Sequence, residues 1–119
     1  MLILFDHGAP RGLARALSGH TVVTARARGW DRLNNGALLN AAEAAAVDLL
    51  LTTDQRIRYQ QNLAGRKLAL VVLGSNIWPV VREHGAAIQA KVAAATPGGY
   101  EFIEMPLPPK PRRGDGGGG

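Results

Sequence analysis

The segment Leu49-Leu50-Leu51-Thr52-Thr53-Asp54 restricts the fold of this chain more than any other. An apolar run without polar alternation is the signature of a strand buried on both faces. Such a strand needs a sheet covered on both sides, as in parallel sheets sandwiched between helices. The chain opens with the same form, Leu2-Ile3-Leu4-Phe5 followed by Asp6, and carries a further apolar run in Leu68-Ala69-Leu70-Val71-Val72-Leu73. Open α/β folds bind their ligands at the carboxyl ends of the strands. If the first and third strands lie near one another, Asp6 and Asp54 converge at that edge. Two converging carboxylates make a candidate divalent-metal site. The competing role for each acid is to cap the helix that follows it.

Between the apolar runs, helix and turn signals alternate with strand signals. Gly8, Pro10 and Gly12 open a short helix with an apolar face of Leu13, Ala14, Ala16 and Leu17, which stops near Gly19. The β-branched residues of segment 20–24 predict a second strand. A loop over 25–33 gathers Arg26, Arg28 and Arg32 around Trp30. Asn34 or Asn35 then caps a helix over about 36–46. After Asp54 a helical piece is expected over 55–63, then a turn at Gly65-Arg66-Lys67. The longest helix opens at Gly74-Ser75-Asn76, tolerates Pro79 in its first turn, and buries Ile77, Val81, Ile88 and Val92. Trp78 is expected in the core. Pro97-Gly98-Gly99 ends the helix, and the alternation over 100–104 predicts an edge strand. The order implies an α/β fold with a mainly parallel five-stranded sheet and right-handed crossovers. Residues 1–105 form one domain, and residues 106–119, rich in Pro and Gly with Lys110, Arg112 and Arg113, read as a disordered basic tail.

Composition narrows the chemistry. The chain has no cysteine, which excludes disulfides and thiolate metal sites and suits a reducing cytoplasm. No apolar run approaches the roughly 20 residues of a membrane span, and the first residues lack the basic start of a signal peptide. The net charge of +5, carried mainly by Arg, allows a polyanionic partner. No GxGxxG or phosphate loop supports a dinucleotide cofactor, no GxSxG supports a serine nucleophile, and no HExxH supports a zinc protease.

Oxygen ligands therefore carry the expected site. Asp6 and Asp54 are the first choices, with Asn35 as a further oxygen ligand or water contact and Thr53 as an orienting hydroxyl. Magnesium or manganese suits such a set, because magnesium retains several waters. His7 is placed to touch substrate or metal. Glu43 lies too far along its helix to reach the crevice, and Asp48 belongs to the opposite sheet edge. Arg56, Arg58, Tyr59, Gln60 and Gln61 follow Asp54 directly, so they are expected near the crevice mouth, where arginine binds phosphate and an aromatic ring stacks on a base. Their other reading is a solvated helix face with Tyr59 packed inward. Trp30 is either a stacking platform or an anchor for its loop.

Taken together, Leu2-Ile3-Leu4-Phe5-Asp6, the Pro-initiated helix, Gly19-His20-Thr21-Val22 and Leu49-Leu50-Leu51-Thr52-Thr53-Asp54 resemble the small bacterial PIN-like proteins. Those are linked to the PIN-domain ribonuclease toxins of toxin–antitoxin pairs. Tyr59-Gln60-Gln61-Asn62-Leu63 and Val71-Val72-Leu73 are similar to one subgroup, and the resemblance covers about residues 1–104. It implies a three-layer α/β/α sandwich, acids that hold magnesium or manganese for hydrolysis of RNA phosphodiester bonds, and an antitoxin protein as partner. A homodimer is a further expected assembly. Asp6 and Asp54 fall on two of the acidic positions. Where many relatives carry an acid at the start of the second helix, this chain has Asn34-Asn35-Gly36, and Arg26-Ala27-Arg28 adds no carboxylate. Two readings follow: a metal-dependent ribonuclease, and a catalytically degenerate regulatory or interaction module. A receiver-like form of the second, with Asp54 as phosphoacceptor, lacks the acidic pair and terminal lysine that receivers need.

Overall fold

The computed structural model describes residues 1–57 and 65–106. Five strands, β1 (Leu2–Phe5), β2 (Thr21–Thr24), β3 (Leu49–Thr52), β4 (Ala69–Leu73) and β5 (Tyr100–Ile103), form one sheet in the order β2-β1-β3-β4-β5. Every neighbouring pair is parallel. The central strands are the unbroken apolar runs, and every residue of β3 and β4 is buried. The edge strands β2 and β5 are more polar and more exposed. This matches the physical demand that a strand with two neighbours and two covered faces be apolar throughout.

Alternate residues of the strands feed two cores. Ile3, Phe5, Leu49, Leu51, Val71 and Leu73 point to one face, where a 3₁₀ helix (Arg11–Leu17) and two α-helices, α2 (Trp78–Glu83) and α3 (Gly85–Ala93), cover them. Leu4, Leu50, Leu70 and Val72 point to the other, beneath α1 (Asn35–Ala44). The result is the expected three-layer α/β/α arrangement. Asn34 caps α1, its Oδ1 accepting from the Ala37 amide at 2.8 Å.

Several local expectations give way. The first helix is 3₁₀ rather than α, with no capping side chain and a β-region Pro10 before it. The long helix expected after Gly74 is two short ones that meet at His84, whose φ of −103° and ψ of 14° leave the α region. His84 Nδ1 donates to the Val80 carbonyl at 3.0 Å, and this local bond stabilises the break. Ile77 consequently precedes the helix, is 48 % exposed, and is no part of the buried stripe, which Val81, Ile88 and Val92 do form. Trp78 is half-buried and packs against the core. The crossovers do not share one hand. β1 to β2 and β4 to β5 both cross the face of the 3₁₀ helix but step in opposite directions along the sheet, so their hands are opposite. Most of the helical piece expected over 55–63, and the tail from residue 107 onward, lie outside the described residues.

Among the described residues no helix is long and apolar enough to cross a membrane.

Candidate functional site

The chain leaves β1 toward β2 on one side and later inserts β3 on the other side of β1. This reversal makes β1/β3 the topological switch point, and the crevice beyond its strand ends is where doubly wound sheets place ligands. Pairing of Phe5 with Leu51 sets Asp6 beside Thr52 at that edge, and the Asp6 amide continues the ladder by donating to the Leu51 carbonyl at 3.0 Å. Asp6 and Asp54 line one cleft of about 210 Å³, together with His7, Leu33, Asn34, Asn35 and Arg56.

A buried hydroxyl joins the two acids. Thr52 Oγ1 donates to Asp6 Oδ2 at 2.7 Å and accepts from the Asp54 amide at 3.1 Å. Thr52 is fully buried and Asp6 nearly so, at 9 % exposure. Asp6 Oδ1 accepts from the His7 amide at 2.7 Å and lies 3.2 Å from His7 Nδ1. Both oxygens of this carboxylate are thus directed by the protein, and the His7 ring stands above it, 70 % exposed. Thr53, the hydroxyl expected to orient the acids, instead packs against Gly8, where an added Cβ would come within 2.5 Å of its Oγ1. The orienting hydroxyl belongs to Thr52. Its sequence signal was a hydroxyl inside an otherwise apolar buried run, since a buried donor must find an acceptor.

Asp54 is held differently. Its Oδ1 accepts from the Arg56 amide and from Arg56 Nε, both at 3.0 Å, and its Oδ2 accepts from Arg56 Nη2 at 2.8 Å. The guanidinium fork lowers the Asp54 pKa from 3.8 to about 2, against the opposing effect of partial burial, with help from the Arg56 amide and Asn35. Asp54 therefore stays ionised at neutral pH, and the hydrogen bonds it accepts from the Arg56 guanidinium, aided by its negative charge, in turn raise the pKa of Arg56. Asn35 approaches with its amide nitrogen, Nδ2 donating to Asp54 Oδ2 at 3.4 Å. As oriented, it supports the carboxylate rather than presenting an oxygen to a shared ligand.

Of the remaining expected residues, Arg58, Tyr59, Gln60 and Gln61 lie outside the described residues. Glu43 is away from the cleft as expected, paired with Arg66 at 3.0 Å and accepting from the Lys67 amide. Asp48 lies at the opposite sheet edge, accepting from the Leu2 amide at 2.7 Å. Trp30 is half-buried against the α1-side core with Arg28 over its ring at 5.7 Å, so it anchors its loop. A second hollow, lined by Arg11, Thr24, Arg26 and Asp31, adjoins Asp6 and His7 from the other side. Arg11 and Asp31 went unremarked in the sequence because they belong to segments that only the fold brings together.

The donor set is chemically matched to a hard cation. Asp6 and Asp54 supply carboxylate oxygens, and magnesium takes one or two carboxylates plus water. The fit is partial: among the described residues no three His, Asp or Glu side chains cluster closely enough to hold a metal ion, and Arg56 engages both oxygens of Asp54. Arg56 is 77 % exposed, so its side chain is free to swing away without disturbing the core. Comparison of the chain with protein families, with curated proteins and with solved structures finds no match.

Proposed function

We propose that this chain is a PIN-like ribonuclease that hydrolyses RNA phosphodiester bonds with magnesium or manganese held by Asp6 and Asp54. The observation that carries the reading is the meeting of these two strand-end acids in one cleft at the switch point of the sheet. When bound, the cation supplies a Lewis acid for the scissile phosphate and lowers the pKa of a coordinated water. The chain's own residues do the rest. Thr52 and the His7 amide fix the rotamer of Asp6. Asn35 supports Asp54 in its ionised form. Arg56, released from Asp54, turns its planar fork to a phosphate, two of whose oxygens it binds in parallel. His7, exposed above Asp6, contacts the strand. In this reading the target is cytoplasmic RNA, and the protein is the toxin of a toxin–antitoxin pair with an antitoxin protein as its partner.

One observation favours a second reading, a degenerate PIN-like interaction module. Asp54 is already neutralised by Arg56, and Asn35 stands where a third acid would complete the site. Two measurements separate the readings. Single-stranded RNA is expected to be cut only with magnesium or manganese present, and Asp54→Asn abolishes cutting while the thermal transition persists. Titration calorimetry is expected to show cation binding by the wild type and none by Asp54→Asn. Absence of both binding heat and cleavage at millimolar cation removes the enzyme reading and leaves the module.

A further inference from the structure

Asp6 and His7 form a wall between two hollows. The Asp54 cleft lies on one side. On the other, a separate hollow of about 230 Å³ is lined by Arg11, Thr24, Arg26 and Asp31 along with Asp6 and His7. Two stretches distant in sequence build it: the turn from the end of β1 into the 3₁₀ helix, and the end of β2 with the loop that leaves it.

The charges there are left open. Arg56 and Arg66 are each held by a carboxylate, and Arg28 lies over Trp30. Arg11 and Arg26 are exposed, and neither forms an ion pair among the described residues. Thr24 Oγ1 accepts from the Ala27 amide at 3.1 Å, which leaves its hydroxyl proton available. Asp31 is likewise exposed and in no ion pair among the described residues.

Two arginines facing two carboxylates carry no net attraction for a simple anion. They match instead a ligand that presents acceptor oxygens and a hydroxyl donor side by side. A phosphate joined to a ribose is such a group. Guanidinium forks take the phosphate oxygens, and a carboxylate, which only accepts, takes the hydroxyl proton. The 2′-hydroxyl is also the group by which a protein tells RNA from DNA.

We propose that this hollow is a ribonucleotide subsite. Single-stranded RNA crosses the His7 wall from the Asp54 cleft, Arg11 and Arg26 hold a backbone phosphate, and Asp31 accepts from a ribose 2′-hydroxyl. The proposal rests on the reading of the Asp54 cleft as an RNA site, and adds to it a path for the strand and a basis for preferring RNA.

The test is fluorescence anisotropy with a labelled oligouridylate and its deoxy counterpart over a range of salt. It is run with a chelator and again with calcium. Binding to the wild type is expected to be tighter for RNA. Replacing Arg11 and Arg26 together by Ala reduces the magnitude of the slope of log K against log salt by about 0.7, the value for one phosphate contact on a single strand. Asp31→Ala brings RNA binding down to the level of DNA. Arg15, exposed and lining neither hollow, is the control, and Arg15→Ala leaves the slope near that of the wild type. Should Arg56→Ala weaken binding while the double variant keeps its slope, the subsite is overturned and the RNA reading stands. An equal loss of slope in Arg15→Ala also overturns it, since general basicity then explains the effect. Retained RNA preference in Asp31→Ala overturns the ribose contact. If the wild type binds neither strand in either buffer, both the subsite and the RNA reading fall.

Discussion

A single hydroxyl organises the candidate site. Thr52 is fully buried, donates to a nearly buried carboxylate and accepts from the next acid's amide. Thr52→Val keeps the shape and removes both bonds, leaving an oxygen of Asp6 without its donor. The expected cost is about 1–3 kcal/mol, the usual range for stranding a buried polar group. Thr52→Ser keeps the hydroxyl and loses one methyl, roughly 0.8 kcal/mol of transfer free energy plus any cavity term. Urea unfolding of the two variants checks this, and a valine variant as stable as wild type would contradict the assigned bond. Asp54 gives a prediction in pH. Its folded pKa, about 2, lies below the ordinary 3.8 because Arg56 hydrogen-bonds the ionised form. A depressed carboxylate stabilises the fold above the unfolded pKa and loses that contribution as pH falls through the folded one. The window is therefore pH 3.8 down to about 2, and stability at neutral pH is untouched by this titration. Carbon-detected NMR should place the Asp54 midpoint near 2 in wild type and higher in Arg56→Ala. Equal midpoints in the two proteins would show that the fork is absent in solution.

Elements meet at two backbone junctions that set how the helices sit on the sheet. One is the end of β4, where the Gly74 amide donates to the Ile103 carbonyl at 2.9 Å and extends the β4–β5 ladder. A Cβ at Gly74 would lie 3.0 Å from both the Ile103 carbonyl oxygen and the Met105 nitrogen. These are backbone atoms that cannot rotate away. Gly74→Ala is accordingly expected to destabilise the protein by about 1–3 kcal/mol, the range for forced overpacking. Thermal unfolding measures it, and an unchanged transition would show that the strand end adjusts freely. The other junction is His84. Helical periodicity over Val81, Ile88 and Val92 is real in the sequence and in the structure, yet the backbone breaks between the first two. Periodicity reports which side chains face the core. It does not report whether the hydrogen-bond ladder between them is continuous, because a one-residue break preserves the face.

At the scale of the molecule, protection should follow strand order. β3 has neighbours on both sides and both faces covered, whereas β2 pairs on one side only and is partly exposed. In native-state hydrogen exchange the Leu50 and Leu51 amides are expected to open only with global unfolding, and those of Val22 and Val23 at lower free energy. Equal protection in β2 and β3 would mean that the edge is covered in solution. The sequence alone determined the α/β class, all five strands within a residue or two, and the placing of Asp6 and Asp54 at strand ends, because burial on two faces writes an unbroken apolar run in the central strands whatever the neighbours are. Parallel pairing then leaves little choice about which edge the acids share. Tertiary structure decided what no local pattern encodes. The partner of each polar group is one such matter: Thr52 rather than Thr53 reaches Asp6, Asn35 turns its nitrogen to Asp54, and Arg56 folds back on its neighbour. The hollow beside Asp6 is another, since Arg11, Thr24, Arg26 and Asp31 come together only when β1 and β2 pair. A hydrogen bond depends on direction and on distances of a few tenths of an ångström, and these are fixed by packing between segments rather than by the order of residues within one.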